Sequence, residues 1–591
     1  MPTQDLPQPE FGSDIVINLL RAFGIEYAAI NPGATFRGIH DSLVNYGGNQ
    51  HPELILCCHE EIAVSLAHGY AKAAGKPMAA VVHNIVGLQH ASMAIFNAFC
   101  DRAPILVLGG TGPMDTTRRR PWIDWIHTAL VQGNLVRDYV KWDDQPASVA
   151  AIPEAFARAY RIAMTEPKGP VYLCFDAELQ EGRLDRPIPL PDPARFAPAS
   201  PPQAEARVLE EAARLLCEAE SPVILAESLV PHPQTLTALQ QLAELLAAPV
   251  IDLGDEYRGR SCFPNTHSLD LSGAKREMIR EADVVLALDV QDFLGTLAEV
   301  DRTTREVRPV SDRPATIIGI SLNDYAIRSW AQTYLSLVPL DLPITADAGV
   351  VLPLLVNLVE ERLKRDPRAA MRQTRFAKLR ARHEVLRREW LETVEAQRLK
   401  RPIAYSMLAA TVWETIKDED WILANGTARG WAKRVWEWKP ERFFGGSGGA
   451  GLGYGLGASL GVALALRDSG KVCVNLQPDG DFLYVTSGLY TAAHHQIPLL
   501  TVMCNNRSYY NDEEHQEVMA KVRGRAVESK VVGIRIEHPA PDFAKIAQGF
   551  GVYAEGPIEE PQDLGPALKR ALKVVKEDRF PALVDVVTQL A

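Results

Sequence analysis

Short apolar, β-branched runs alternate with amphipathic helical segments along almost the whole chain, a pattern that predicts α/β units with parallel sheets. Runs at 54–58, 78–83, 105–108 and 171–175 read as strands of a first section. Those at 223–226, 250–253, 284–288 and 316–320 form a second, and those at 421–424, 471–476, 499–504 and 583–587 a third. A Pro-rich stretch over 186–203 reads as a linker between the first two. From 363 to 400 the chain is rich in Arg, Glu and Ala, as in a surface helix with a solvated charged face that crosses to the third section. The expected division is 1–185, 204–362, a helical connection at 363–400, and 401–591.

Length agrees with several cores, because 591 residues exceed what one core organises. The apolar share of 47% and charged share of 23% are those of an ordinary globular protein. A net charge of −12 argues against a nucleic-acid partner, and Arg118-Arg119-Arg120 reads as a solvated loop. The eight cysteines form no Cys-x-x-Cys pair, which fits a reducing compartment. Residues 1–12 lack the layout of a signal peptide, and no apolar run reaches the roughly 18 residues of a membrane span. A soluble cytoplasmic protein is expected.

The candidate chemistry lies in the third section. Pro478-Asp479-Gly480-Asp481 is followed by Asn505-Asn506, with 24 residues between Gly480 and the pair that include a helix and an apolar strand. Mg²⁺ takes near-octahedral oxygen ligation, commonly one or two protein oxygens plus phosphate. The Asp479 carboxylate, the Asn506 amide oxygen and a backbone carbonyl near Ser508 would serve. A pair of plain turns is the alternative. Ligands of parallel sheets bind beyond the carboxyl ends of the strands, and Asp479 and Asn506 both fall there. Asn425 and Thr427 follow another strand end, where they either touch a diphosphate or merely form a turn. Residues 445–457 hold eight glycines, a density suited either to close backbone approach to phosphate or to close helix packing.

Asp-Gly, this gap and Asn-Asn resemble the cofactor signature of thiamine diphosphate enzymes, with Pro478 in place of the usual first glycine. The resemblance extends to His59-Glu60-Glu61 and Gly69-Tyr70-Ala71, similar to the acetohydroxyacid synthase (acetolactate synthase) branch, and to His83, in a region where benzoylformate decarboxylase-like members carry a histidine. It implies three α/β domains with parallel sheets: an N-terminal pyrimidine-binding domain, a central domain and a C-terminal diphosphate-binding domain. It implies thiamine diphosphate and Mg²⁺, with Asp479, Asn506 and Ser508 at the metal and Asn425, Thr427, Leu452, Gly480, Asp481 and Asn506 around the cofactor. Leu452 would wedge the cofactor into its bent shape. Glu60 would protonate the aminopyrimidine, so that the cofactor removes its own thiazolium proton. His83 and His127 would relay protons or face the reaction centre, although a histidine at a strand end is also a common structural residue. Glu61 reads as a surface residue favoured by the helix dipole, and His494, His495 and His515 as structural or surface residues.

Family members build the site between chains, which implies a homodimer or homotetramer. The synthases' FAD-binding glycines and arginine have no counterpart in Ala226-Glu227-Ser228-Leu229 or in residues 288–294, which argues against FAD. Arg507 to Gln516 is far more polar than the synthases' acceptor pocket and leaves the substrate open among a 2-oxo acid, an aldehyde and an acyl-CoA. The implied activity is formation or cleavage of a carbon–carbon bond next to a carbonyl, by decarboxylation or carboligation. A 2-hydroxyacyl-CoA lyase, a simple 2-oxo acid decarboxylase and a catalytically silent assembly protein are the alternatives.

Overall fold

Every run predicted above becomes a strand of one of three parallel sheets in the computed structural model, which describes residues 7–229, 233–255, 259–301, 303–311, 313–325 and 338–590. Residues 1–6 of the polar N-terminal stretch thus lie outside the described residues. The first sheet orders its strands Glu53–Leu56, Tyr27–Ile30, Ala79–Val82, Leu106–Thr111, Val171–Asp176 and Trp142–Asp144. The second runs Leu342–Thr345, Thr316–Ser321, Val284–Leu288, Pro222–Ala226 and Val250–Asp252. The third runs Trp421–Asn425, Val472–Pro478, Leu500–Asn505, Ala582–Val587 and Tyr553–Ile558.

The strands that the pattern missed are short or weakly apolar. Tyr27–Ile30 is half alanine, Tyr553–Ile558 contains Gly-Pro at a sheet edge, and Trp142–Asp144 is an edge strand with two aspartates. Ala298–Val300 and Val307–Pro309 pair antiparallel as a largely exposed ribbon. A solvated ribbon need not show a run of apolar residues.

The first and third sheets share one apolar core, in which Ile55, Val82, Leu460 and Leu583 belong to a single cluster, whereas the second sheet has its own. At the centre of the shared core the helices Glu60–Ala74 and Gly455–Ala465 cross at backbone contact. A Cβ at Gly69 would lie 1.9 Å from the Ala458 carbonyl oxygen, and one at Gly461 1.9 Å from that of Leu66. Only glycine fits there. Each helix begins beside a candidate site residue, so this crossing sets where those residues stand. Helix Ala369–Ala396 buries only Leu379, His383 and Leu386, and leaves most of its charges in solvent. Among the described residues no helix is long and apolar enough to cross a membrane.

Candidate active site

Three neighbouring strands of the third sheet end at Asn425, Pro478 and Asn505, and a cavity of about 340 Å³ opens beyond those ends. Asp479 opens the short helix Asp479–Tyr484 with its carboxylate 2% exposed. One oxygen accepts from the Gly480 N–H at 2.8 Å and the other from the Arg507 N–H at 2.6 Å. Burial outweighs these amides and pushes its pKa up to about 7. No cationic side chain pairs with it among the described residues. A Cβ at Gly480 would lie 2.5 Å from the Tyr509 ring, so the turn has no room for a larger residue.

The two asparagines divide. Asn505 turns into the sheet and donates to Asp585 at 3.0 Å, while Asn506 lines the cavity. Asn506 Oδ1 accepts from the Ser508 N–H at 2.9 Å, and its amide nitrogen donates to the Tyr405 hydroxyl at 3.3 Å. Arg507 between them takes a left-handed φ of 56°, which tightens the turn. Ser508 lines the cavity too, and its hydroxyl donates to the buried Glu513, itself held by Arg535 at 2.7 Å.

Asp481 joins the turn to the glycine loop. Its oxygens accept from the N–H groups of Gly453 at 2.8 Å and Gly455 at 3.0 Å and from the Gln477 amide at 2.7 Å. Leu452, next to Gly453, projects into the cavity and is 38% exposed. Asn425 lines the same cavity and donates to Asn475 at 3.0 Å. Thr427 faces a different cavity beside Asp252 and Lys433, and its hydroxyl accepts from the Gly430 N–H at 3.0 Å. Sequence reasoning missed Arg429, the one cation lining the Asp479 cavity among the described residues, whose guanidinium lies 5.1 Å over the Tyr510 ring.

Glu60, His83 and His127 form a second cluster, and none of them lines the Asp479 cavity. Glu60 is the first residue of helix Glu60–Ala74, and the carboxyl is buried. Its Oε2 lies 3.1 Å from His90 Nδ1, and the His90 ring stacks on His59 at 4.9 Å. His83 follows strand Ala79–Val82 directly, with Nδ1 2.8 Å from the Thr35 hydroxyl and its ring 5.6 Å from that of His127. Burial, then the nearby His127, holds the His83 pKa below the ordinary histidine value. His127 ends the short helix Ile123–His127, where Trp122 and Trp125 are 66% and 72% exposed.

Glu61 is not the surface residue expected of a first-turn glutamate. It is half-buried against the glycine loop, where a Cβ at Gly453 would lie 2.5 Å from Glu61 Oε1. Burial, and then Asp481, pushes its pKa up to about 7. Glu60 and Glu61 therefore point from one helix start toward the two separate clusters. His495 is structural, accepting the Leu56 N–H at 2.8 Å.

These groups are the ones the resemblance to thiamine diphosphate (thiamine pyrophosphate) enzymes leads one to expect, and the family comparison shows that class. Three family profiles match in order: the N-terminal TPP binding domain of thiamine pyrophosphate enzymes over residues 11–134, their central domain over 209–355, and their C-terminal TPP binding domain over 424–586. The chain belongs to the thiamine pyrophosphate enzyme family and is an enzyme dependent on that cofactor. It is 26% identical to the probable acetolactate synthase large subunit of Methanocaldococcus jannaschii, covering 98% of this chain and 91% of the relative. It is also 26% identical to the glyoxylate carboligase of Escherichia coli O157:H7, covering 96% and 90%. In fold it matches the benzoylformate decarboxylase of Polynucleobacter necessarius, with a TM-score of 0.75, 19% identity and 99% of each chain covered. The thiamine diphosphate-dependent 4-hydroxybenzoylformate decarboxylase of Rhodococcus jostii matches with a TM-score of 0.74 at 20% identity, covering 98% of this chain and 99% of that one.

Proposed function

We propose that the protein forms or cleaves a carbon–carbon bond next to a carbonyl, by decarboxylation of a 2-oxo acid, by carboligation, or by both. The observation that carries this reading is the buried Asp479 carboxylate, without a counter-cation among the described residues, at adjacent strand ends with Asn506 and in one cavity with the apolar Leu452. A carboxylate so placed fits a bound cation. Asp479, the Asn506 amide oxygen and the Ser508 carbonyl are the Mg²⁺ ligands in this reading, and Asn425, Gly480, Leu452 and the Asp481-braced loop meet the cofactor. Thr427 would act only by shaping the Asn425 turn.

Thiamine diphosphate, when bound, supplies the electron sink that stabilises negative charge on the carbon next to the carbonyl. Glu60 holds a proton toward the cofactor ring, and His83 and His127 move protons to and from the substrate carbon or oxygen. In one chain these three stand apart from the Asp479 cavity, and exposed Trp122, Trp125 and Leu130 lie beside His127. A second copy would cover that apolar surface and complete each site, in a homodimer or a dimer of dimers. Units at 1–185, 204–362 and 401–591 joined by the 363–400 helix are our division of the chain.

The central sheet reverses strand order between Pro222–Ala226 and Val284–Leu288, a usual place for a nucleotide. Beyond those ends Glu227 accepts the Gln291 N–H at 2.6 Å, and Arg102 pairs with Asp289 at 2.9 Å. A carboxylate set where a diphosphate would lie supports a protein without FAD, which an absorbance spectrum tests directly. Eight free cysteines support a cytoplasmic location.

The test is incubation with thiamine diphosphate, Mg²⁺ and a panel of 2-oxo acids, aldehydes and acyl-CoAs, following carbon dioxide and product masses. Release of carbon dioxide or a new ligation product is expected. No turnover of any member would overturn the reading. Dependence on a thioester would instead identify a 2-hydroxyacyl-CoA lyase. Glu60→Gln should lose turnover while oligomeric state stays unchanged, whereas parent-like activity would remove Glu60 from the chemistry.

A further inference from the structure

Glu60 sits in a seat built by one face of the helix Ile85–Cys100. A Cβ at Gly87 would lie 2.8 Å from Glu60 Oε1, so glycine there leaves room for the carboxyl group. His90, three residues on and therefore on the same helix face, brings Nδ1 to 3.1 Å from Glu60 Oε2. The His90 ring is in turn fixed by stacking on His59 at 4.9 Å with 23° between the planes. His59 caps the helix that Glu60 opens, its Nδ1 accepting from the Glu61 N–H at 3.2 Å. Polar atoms of His59, Glu60 and His90 all lie within 4.8 Å of one another.

We propose that His90 is the positioning residue for Glu60: its Nδ1–H donates to Oε2 and reserves that oxygen as an acceptor, so that the carboxyl proton is carried on Oε1. The chemistry follows from the count of lone pairs and protons. A protonated carboxyl has one O–H, and a donor facing one oxygen makes protonation of that oxygen unfavourable. Oε1 accepts no hydrogen bond from the described residues and is the oxygen left to present a proton. The stacked His59 ring keeps the imidazole from rotating away, and neither histidine need change charge.

This inference rests on the assignment of Glu60 as the residue that activates the cofactor. The test uses the full-length protein loaded with thiamine diphosphate and Mg²⁺, and reads two quantities apart from turnover. One is the dissociation constant of the cofactor, from tryptophan fluorescence. The other is the rate at which the bound cofactor exchanges its thiazolium hydrogen for deuterium. Histidine Nδ1 and asparagine Nδ2 are both δ atoms, so His90→Asn keeps a donor in place, whereas His90→Gln moves it outward and His90→Ala removes it.

The exchange rate is expected to fall about tenfold or more in His90→Ala and His90→Gln, to stay within about threefold of the parent in His90→Asn, and the dissociation constant to change little in all three. Parent-like exchange in His90→Ala would overturn the proposal. So would equal impairment of His90→Asn, because loss of ring packing on His59 would then explain the effect. Glu60→Gln separates the two layers: a parent-like exchange rate there removes the Glu60 assignment itself, while a lost rate with normal His90→Ala removes only the role of His90.

Discussion

Asp479 shows how one residue can oppose the fold that holds it. Its ordinary pKa of 3.8 is pushed up to about 7 by burial, so between those values the folded, cofactor-free protein binds more protons than the unfolded chain. The resulting penalty is absent below the unfolded value, grows as pH rises, and is complete above about 7. Each unit of such separation is worth about 1.4 kcal/mol. Asp479→Asn removes the titration, so cofactor-free Asp479→Asn should melt several degrees above the parent near pH 8, and the two curves should converge as pH falls toward about 4. With Asp479 as the Mg²⁺ ligand proposed above, adding Mg²⁺ and thiamine diphosphate at pH 8 should reverse the order, since only the parent keeps that carboxylate. Scanning calorimetry across pH checks both. Glu61 and Asp585, raised to about 7 and about 6, slope the same way in both proteins and cancel from the difference.

At the scale of elements, the crossing of Glu60–Ala74 and Gly455–Ala465 decides where the candidate site groups stand. Gly461→Val would place a branched side chain 1.9 Å from the Leu66 carbonyl oxygen, and the two helices would have to separate. A loss of about 3 kcal/mol or more is expected, measured as a lower denaturant midpoint. Cofactor affinity should fall with it, because Gly455 anchors to Asp481 at the start of one helix. Gly470→Ala is a contrasting control. That glycine lies in open space with φ +75°, so the change strains a turn without touching the crossing. The density of glycine at 445–457 was legible as close approach to something. Which glycines approach protein was not, because Gly453 against Glu61 and Gly457 against Ser65 are contacts between segments nearly 400 residues apart.

For the whole molecule, the separation of the Glu60 cluster from the Asp479 cavity makes a prediction no single chain could satisfy. Glu60→Gln and Asp479→Ala should each be inactive alone. If sites form between copies, mixing them under conditions of subunit exchange should restore roughly a quarter of parental sites, since half the dimers are mixed and one of their two sites is intact. No recovery in mixtures shown by mass to contain heterodimers would refute a shared site. Trp125→Glu should weaken the association, since it puts a charge on the exposed apolar surface beside His127.

Much of this was readable along the chain. Apolar runs end where strands end, and in a parallel sheet that alone sends Asp479 and Asn506 to one edge; Glu60 begins a helix because a capping histidine and an alanine-rich amphipathic stretch meet there. These features depend on neighbours in sequence, through backbone preference and periodicity. Which way each side chain faces depends on segments far apart, whose contacts exist only once the cores have packed. Thr427 turning to a second cavity, Asn505 turning away from the cavity that Asn506 lines, Glu61 meeting the glycine loop and His90 reaching Glu60 are all of that kind. Residue order along the chain suffices for the three-sheet plan and for the resemblance to thiamine diphosphate enzymes, whereas the division of the candidate groups into two clusters comes from packing, because helix crossings at glycine, not local propensity, set those distances.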